Sequence, residues 1–173
     1  MKKLIFIYGP NGVGKSTLSK MLNMKIANSA WLDSEWCRMI NPFAFTPDII
    51  MMIEKNISCM LRSYLGGSMI EYVIFCYGFH GPRKEIFSKV LQNISDIKFR
   101  LIPIMVTCSE EENIKRMVKD GRNEVRIQRA IASRYIYEEQ SGQIIDTSKL
   151  TVQEAAELVL NIINYVPICD NIS

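Results

Sequence analysis

A glycine-rich loop with a lysine and a serine lies near the start of the chain, and its spacing suits phosphate binding. Gly9, Gly14, Lys15 and Ser16 fit the pattern G-x-x-x-x-G-K-S directly after a short apolar run. Glycines let the backbone wrap around an anion with its N–H groups pointing inward, and a helix beginning near Lys15 adds the positive end of its dipole. The lysine then reaches the β- and γ-phosphates of a nucleoside triphosphate, and the serine hydroxyl binds Mg²⁺. The alternative is an ordinary glycine turn between a strand and a helix. The predicted nucleotide-binding residues of the loop are Gly9, Pro10, Asn11, Gly12, Val13, Gly14, Lys15, Ser16 and Thr17.

Two carboxylates follow the second apolar segment, in the stretch Leu32-Asp-Ser-Glu-Trp36. If this segment stays extended, Asp33 and Glu35 project to the same side and converge on the space beside the loop. One acid can then hold Mg²⁺ through water while the other orients or deprotonates an acceptor hydroxyl. We predict Asp33 as the base or a metal contact, with Ser16 as the other metal residue, and Glu35 as a substrate contact, although the two acids could exchange roles. The alternative is that Asp33 or Ser34 caps the next helix and the acids face solvent.

The third apolar segment, residues 72–77, runs into Gly78-Phe-His-Gly81 without an acid. In many phosphate-binding loop proteins an acid at this position holds the metal, so its absence shifts that role to Ser16 and Asp33. Gly78 is predicted to let a substrate approach the backbone. His80 could contact the acceptor, but a lone histidine in a loop is more often incidental.

Positive charge is concentrated in residues 113–134, which carry seven cations against two acids. The whole chain has a net charge of +3, so the remainder is acidic by two. Asp120-Gly121 interrupts this segment and predicts two helices joined by a short turn. Such a turn can close over phosphates and deliver arginines to the charge of a phosphoryl-transfer transition state, and we predict Arg122 and Arg126 in that catalytic role. The alternatives are a solvated basic face or a nucleic-acid patch; the segment has few aromatic residues for base stacking.

Strands and helices alternate along the chain. Strands are predicted at 4–8, 30–33, 72–77, 99–107 and 143–146, and helices after the loop, around 35–40, and at 47–65 and 82–94. Ser109 to Glu112 and Thr151 to Glu154 form capping boxes that open two further helices. Pro103 is predicted near the start of the fourth strand or at a bulge. This pattern predicts an α/β fold of three layers, a parallel five-stranded sheet with helices on both faces and ligands at the carboxyl ends of the strands.

Length and composition favour a single domain over residues 1–173. The chain is 48% hydrophobic and 23% charged, which is typical of a globular protein. No apolar run approaches the roughly 20 residues of a membrane helix, and the first apolar segment is too short for a signal peptide, so we expect a cytoplasmic protein. Five scattered cysteines, Cys37, Cys59, Cys76, Cys108 and Cys169, suit reduced thiols. There is no D-x-x-G or N-K-x-D signature of a GTPase and no room for the insertion of a transporter ATPase.

The chain resembles the small P-loop kinases of the nucleoside monophosphate kinase-like group, especially the shikimate, gluconate and chloramphenicol phosphotransferase branch. The resemblance runs from the glycine loop through Leu32-Asp-Ser-Glu35 and the arginine turn to Ile145-Asp-Thr-Ser148. It implies a P-loop NTPase fold with ATP and Mg²⁺ as cofactors, and an acid pair that serves metal and acceptor. It also implies that Arg116 stacks on adenine and that Arg122 and Arg126 are lid arginines in a short lid at 119–126, while the reach of Arg129 and Arg134 stays open.

Residues 36–70 are predicted to form the insert that binds the acceptor. This insert holds Trp36, Phe43, Phe45 and five methionines, which favours an acceptor with an apolar or planar body, although most of these residues suit a core equally well. Arg38 is the predicted substrate contact beside the acids. Arg83 could bind an acidic group of the acceptor or be only a cation at the start of a helix.

The leading hypothesis is an ATP-dependent phosphotransferase that moves the γ-phosphate to a small molecule, namely a nucleoside, a nucleotide or another hydroxyl-bearing metabolite or antibiotic. The second is an NTP-binding regulatory protein or weak ATPase without an acceptor. The third and least favoured is a nucleic-acid end kinase. We expect no membrane partner, and either a monomer or a homodimer.

Overall fold

The computed structural model describes residues 1–138 and 142–165, and within them one parallel sheet of five strands. The strands are β1 (Lys2–Tyr8), β2 (Ser29–Asp33), β3 (Tyr72–Cys76), β4 (Phe99–Thr107) and β5 (Gln143–Asp146). Their order across the sheet is β2-β3-β1-β4-β5, and every neighbouring pair is parallel. The predicted five-stranded parallel sheet is therefore confirmed.

Six α-helices connect and cover the strands of this described part. They are α1 (Lys15–Lys25), α2 (Pro47–Gly66), α3 (Arg83–Asn93), α4 (Glu110–Lys119), α5 (Glu124–Ala132) and α6 (Val152–Tyr165). Both predicted caps lie at helix starts: Ser109 accepts a hydrogen bond from the Glu112 amide at 3.3 Å, and Thr151 accepts one from the Glu154 amide at 3.2 Å. Only the second is a full capping box, because the Thr151 amide donates to Glu154 whereas the Ser109 amide donates to Ser148. The helical segment predicted around 35–40 is a short 3-10 helix at Ser34–Arg38.

The alternation of side chains on the central strand β1 divides the core into two halves. Leu4, Phe6 and Tyr8 are buried on one face, in the cluster that includes residues of α2 and α3. Ile5 and Ile7 are buried on the opposite face, in the cluster that includes residues of α1 and α6. A strand with both faces buried reads as a continuous apolar run, which is the pattern found in the sequence.

Pro103 lies in the middle of β4, and not near its start or at a bulge as the sequence predicted. It is paired opposite Phe6 of β1, whereas the pairing of β4 with β5 begins only at Ile104. At Pro103 the strand therefore has β1 as its neighbour but not yet β5, so a missing N–H does not interrupt the ladder between β4 and β5.

All five strands point in one direction, so the segments that follow them meet at one edge of the sheet. The glycine loop follows β1, Asp33 ends β2 and Gly78 follows β3, and these three strands are adjacent in the sheet. No helix in the described ranges is long and apolar enough to span a membrane. Within the same ranges Cys37, Cys59, Cys76 and Cys108 are free thiols, and Cys169 lies outside them.

Candidate active site

The glycine loop adopts a backbone conformation that requires glycine at its first position. Gly9 has a φ of 143°, and a Cβ atom there would lie 2.1 Å from the carbonyl oxygen of Val106 on β4. A side chain would therefore clash with the backbone of a central strand, which cannot move aside. The backbone of the loop therefore packs directly against β4 after the end of β1, and it then leads into α1.

Helix α4 supports the loop from behind. Gly12 has a φ of 84°, and a Cβ there would come within 2.5 Å of the Met117 side chain. The buried Asn113 donates from Nδ2 to the Asn11 carbonyl at 2.9 Å and accepts from Arg134 at 2.8 Å. Arg134, whose reach toward the phosphates the sequence left open, thus serves to hold α4 and does not line the site.

Lys15 is the first residue of α1 and folds back over the loop. Its Nζ donates to the Pro10 carbonyl at 2.7 Å. Burial lowers the pKa of Lys15, Cys76 and Asp33 raise it, and Arg83 lowers it further. The bond to Pro10 holds the amine in place in the free protein, and a phosphate bound in the loop would offset the loss of hydration by placing negative charge beside it.

Ser16 and Asp33 form a close pair of oxygen donors. The Ser16 hydroxyl donates to Asp33 Oδ2 at 2.6 Å, and the backbone amide of Glu35 donates to Asp33 Oδ1 at 3.0 Å. Asp33 is 5% exposed. Asp33 caps the following 3-10 helix with one oxygen, as the alternative interpretation predicted, but it is buried and does not face solvent. Its other oxygen accepts from Ser16 in the site, and its role as base or metal contact stays a prediction. A hydroxyl and a carboxylate suit Mg²⁺, and two protein ligands leave the remaining positions of an octahedral ion to phosphate oxygens and water.

Cys76 stands at the end of β3, where the sequence lacks the expected acid. Its Sγ lies 3.8 Å from Ser16 Oγ. Burial is the main reason that the pKa of this thiol is raised, to about 11, so it stays protonated and uncharged at neutral pH. A neutral thiol is a poor ligand for a hard cation, so Ser16 and Asp33 stay the predicted oxygen ligands for Mg²⁺.

Glu35 reaches the site by a different route from the one predicted. The segment after Asp33 is a 3-10 turn and not an extended strand, so the alternation argument that placed both acids on one side is wrong. Glu35 nevertheless lines the cavity and forms an ion pair with Arg38, three residues further along the turn. The Glu35 side chain is 59% exposed, whereas that of Arg38 is 13% exposed.

Arg116 is fixed between the glycine loop and the segment after β5. Its guanidinium donates to the Val13 carbonyl at 3.0 Å, to the Thr147 hydroxyl at 2.9 Å and to the Thr147 carbonyl at 2.8 Å, and Nε donates to Glu112 at 2.9 Å. Thr147 was not predicted as a site residue, although it lies within the segment Ile145-Asp-Thr-Ser148 that carries part of the family resemblance. The stacking of Arg116 on adenine stays a prediction.

The arginine segment turns tightly between α4 and α5. Asn123 caps α5 by accepting from the Arg126 amide at 3.0 Å, and Arg122 lies 3.6 Å from Asp120. Arg122, Arg126 and Arg129 all line the same cavity as the glycine loop. The turn and helix α5 together therefore bring three cations to this cavity.

One cavity of about 1270 Å³ joins these groups. Except for Gly9 and Pro10, all predicted site residues line it: Asn11, Gly12, Val13, Gly14, Lys15, Ser16, Thr17, Asp33, Glu35, Arg38, Gly78, Arg116, Arg122 and Arg126. His80 and Arg83 line it as well. The sequence favours an incidental His80, but its position just beyond the carboxyl end of the central strand β3 is typical of a ligand-binding residue.

A family model described as an AAA domain matches residues 5–146 of the chain, which is well over half of its length. None of the curated proteins is a significant match to the sequence. The matched residues begin within β1 and end with the last residue of β5, so the match spans the whole sheet.

Solved structures share the fold at low sequence identity. The tunicamycin resistance protein of Deinococcus radiodurans is similar with a TM-score of 0.68 and 17% identity, covering 96% of this chain and 98% of that one. A gluconokinase from Sinorhizobium meliloti has a TM-score of 0.65 and 14% identity, with coverages of 94% and 91%. Shikimate kinase from Acinetobacter baumannii, in complex with shikimate, has a TM-score of 0.62 and 18% identity, with coverages of 96% and 97%. The fold is that of the small P-loop kinases.

Proposed function

We propose, from the premise that the chain belongs to the AAA domain family, that it is an ATP-dependent phosphotransferase acting on a small molecule. The observation that carries the proposal is the convergence of Lys15, the Ser16–Asp33 pair and the turn arginines on one cavity. We assign the whole chain to one domain, with residues 36–70 as the insert that binds the acceptor and residues 119–126 as a short lid. We retain from the sequence the prediction of a cytoplasmic monomer or homodimer.

The nucleotide end of the cavity is assigned from the glycine loop to the segment after β5. Backbone N–H groups of the loop and the start of α1 suit the phosphates of ATP. Leu150, Thr151 and Val152 line the cavity beside Arg116, which supports an adenine site between them. Because Arg116 is already fixed by Val13 and Thr147, its planar group would be in place before the nucleotide binds.

The transfer region is assigned to the residues between the two ends. Bound Mg²⁺ would neutralise charge on the phosphates, with Ser16 and Asp33 as its protein ligands. Lys15 would contact the transferring phosphate, and Arg122 and Arg126 would stabilise charge on its oxygens as the lid closes and excludes water. Asp33 is assigned as the group that accepts the proton of the attacking hydroxyl or holds the metal through water.

The acceptor end is assigned to the turn at Ser34–Arg38 and the aromatic residues that follow it. Phe43 and Phe45 both line the cavity, and their rings meet edge to face with centroids 4.9 Å apart. They are 40% and 42% exposed, so these two are not core residues. An exposed aromatic pair inside a cavity supports a small acceptor with an apolar or planar part, and Glu35, Arg38 and Gly78 are its proposed polar contacts.

The test is a screen of the purified protein with Mg²⁺-ATP against nucleosides, nucleotides, sugar acids, shikimate, and aminoglycoside and phenicol antibiotics. ADP release and phosphorylated product are followed together. We expect one acceptor class to give product, and Lys15→Ala and Asp33→Asn to abolish it, with Asp33→Asn still binding ATP. Lys20→Ala, on the exposed side of the same helix, and Asp96→Asn, in an exposed pair with Arg62, are matched controls and should retain activity.

A regulatory NTPase is the alternative that this screen separates. Tight ATP binding without acceptor-dependent ADP release across the panel would favour it. The third hypothesis, a nucleic-acid end kinase, requires oligonucleotide binding with a steep salt dependence, and its absence would exclude that function.

A further inference from the structure

A hydrogen-bond relay of two side chains, Arg134 and Asn113, ends on the backbone of the glycine loop. Arg134 Nη1 donates to Asn113 Oδ1 at 2.8 Å, and Asn113 Nδ2 donates to the Asn11 carbonyl at 2.9 Å. Asn113 is fully buried, and the described residues that line the cavity include neither Asn113 nor Arg134. Any effect of these two side chains on a ligand must therefore pass through the loop.

The donors and acceptors of the three groups give the relay one direction. A guanidinium has only donors, so Arg134 can face only the oxygen of the Asn113 amide, and the amide nitrogen is thereby directed to the Asn11 carbonyl. Arg134 is fixed by a second bond, from Nη2 to the carbonyl of Cys108 at 2.7 Å, directly after β4. Without Arg134 the buried oxygen of Asn113 would lose this donor, and the amide would lose the restraint on its orientation.

The bond to the Asn11 carbonyl determines where the next backbone amide points. The peptide bond between Asn11 and Gly12 is trans, since the cis bond of the described residues lies between Asn41 and Pro42. In a trans peptide the C=O and N–H groups point in opposite directions, so the Gly12 N–H points away from Asn113. Gly12 lines the cavity. The relay therefore orients one of the backbone N–H donors that we assign to the phosphates.

Close packing between α4 and the loop transmits this restraint. A Cβ atom on Gly12 would lie 2.7 Å from Asn113 Nδ2 and 2.5 Å from the Met117 side chain. The backbone of Gly12 thus lies against α4 without a gap. Because a tightly packed contact of this kind cannot absorb a displacement, a shift of Asn113 moves the peptide groups on either side of Gly12.

Arg134 lies at the base of the helix that brings arginines to the cavity. Helix α5 carries Arg126 and Arg129, which line the cavity, and a 3-10 helix (Arg134–Tyr137) begins shortly after α5 ends. This 3-10 helix is held at its far end as well, because Tyr137 Oη accepts from the Phe79 amide at 2.8 Å. Helix α5 therefore continues into a segment that is fixed to α4 at one end and to the loop after β3 at the other.

We propose that Asn113 and Arg134 are positioning residues for the phosphates of the nucleotide: Arg134 orients the Asn113 amide, which holds the Asn11 carbonyl and so directs the Gly12 N–H into the cavity. Neither side chain touches the nucleotide. Because Arg134 follows α5, which begins within the proposed lid, the same bond connects the base of the lid with a phosphate donor of the loop. This inference rests on the nucleotide site of the proposed function and does not depend on the acceptor.

Two variants of the full chain interrupt the relay at different points. Asn113→Asp replaces the Nδ2 donor by an oxygen, which repels the Asn11 carbonyl, but it keeps an acceptor for Arg134 and so keeps α4 joined to the 3-10 helix. Arg134→Gln removes the charged fork and leaves Asn113 in place. Arg62→Gln, a surface arginine paired with Asp96, is the matched control. Urea unfolding establishes the conditions in which each variant is folded.

Two measurements are made under those conditions. Calorimetry gives the affinity for Mg²⁺ with ADP or a non-hydrolysable ATP analogue, and we expect both variants to bind the analogue about tenfold to a hundredfold more weakly than the wild type. Labelling with ¹⁵N-glycine gives signals from nine glycines, few enough to assign by substitution. The Gly12 amide signal of the nucleotide-free protein should shift in both variants, whereas that of Gly66, at the end of α2, should not. Arg62→Gln should match the wild type in both measurements.

The outcomes separate this inference from the proposed function. Wild-type affinity in the folded variants, or a lower affinity without a shift at Gly12, overturns the inference and leaves the kinase function standing. A wild type that binds no nucleotide refutes both. Nucleotide binding that depends on Asn113 and Arg134, in a protein that phosphorylates no acceptor of the panel, supports the inference and counts against the proposed transfer.

Discussion

Replacing Gly9 by alanine should damage the protein far more than the loss of one hydrogen atom suggests. The new Cβ would lie 2.1 Å from the Val106 carbonyl oxygen, on the backbone of a strand paired on both sides. The φ of 143° adds backbone strain of about 1–3 kcal/mol, and relief of the overlap adds about 1–3 kcal/mol. The combined cost of about 2–6 kcal/mol is a large part of the roughly 5–15 kcal/mol by which a domain is stable.

Urea unfolding and nucleotide binding measure this prediction together. With an unfolding slope of about 2 kcal/mol per molar urea, the midpoint of Gly9→Ala should fall by about 1–3 M. If the loop shifts to relieve the overlap, part of the stability returns but the affinity for ATP is lost. Gly66→Ala is the control, because Gly66 lies at the end of α2 with nothing within 4 Å of the added methyl group, and it should be unchanged or more stable by about 0.5–1 kcal/mol. A Gly9→Ala protein with the wild-type midpoint and the wild-type affinity for ATP would refute the argument.

Two further changes test other parts of the site. Arg116→Ala should lower the free energy of unfolding by about 2–4 kcal/mol, because the hydrogen bonds to Val13 and Thr147 are lost, and it should weaken ATP binding. The control Lys115→Ala, on the same helix, should change the free energy of unfolding by no more than about 0.5 kcal/mol. Equal effects of the two variants would contradict the role of Arg116. Burial is the main reason that the pKa of His80 is lowered to about 4 in the folded protein. Between pH 6.5 and 4 the histidine is therefore protonated in the unfolded chain but stays neutral in the folded protein. The free energy of unfolding consequently falls as the pH falls through this window. Urea midpoints measured across the window should fall less steeply for His80→Gln than for the wild type, and identical slopes would be inconsistent with a buried neutral histidine.

The residues that follow a central strand were predictable because a parallel sheet collects all its carboxyl ends at one edge. The positions of the glycine loop after β1, of Asp33 at the end of β2 and of Gly78 after β3 could be predicted from the order of strands and loops along the chain. The local geometry after β2 was not predictable in the same way. Asp33 accepts a hydrogen bond from the backbone amide of Glu35 and so caps the 3-10 helix that begins at Ser34. Glu35 therefore lies in a helical segment and not in the extended segment that the sequence pattern implied.

Contacts between distant segments were the part that the sequence could not supply. Arg116 and Thr147 are 31 residues apart and meet only because α4 and the segment after β5 lie on the same side of the glycine loop. Arg38 and Arg83 are each ordinary in their own surroundings, one in a turn and one at the start of a helix. They border one space because β2 and β3 are neighbours in the sheet. This pairing depends on the connection through α2, which no local sequence pattern reveals.

The two ends of the cavity differ in how far the protein satisfies its own polar groups, and this difference predicts how each responds to a ligand. At the nucleotide end Lys15 donates to Pro10 and Arg116 to Thr147, so those cations are held without a ligand. At the other end, within the described residues, Arg83 and His80 hold buried nitrogen atoms without hydrogen-bond partners. An acceptor that bonds to these atoms would satisfy them and should therefore stabilise the nucleotide-saturated protein in proportion to its affinity. We expect the acceptor identified by the screen to raise the melting temperature of the wild type and of Arg62→Gln, and to raise that of Arg83→Gln less; an equal rise in all three would contradict this reasoning.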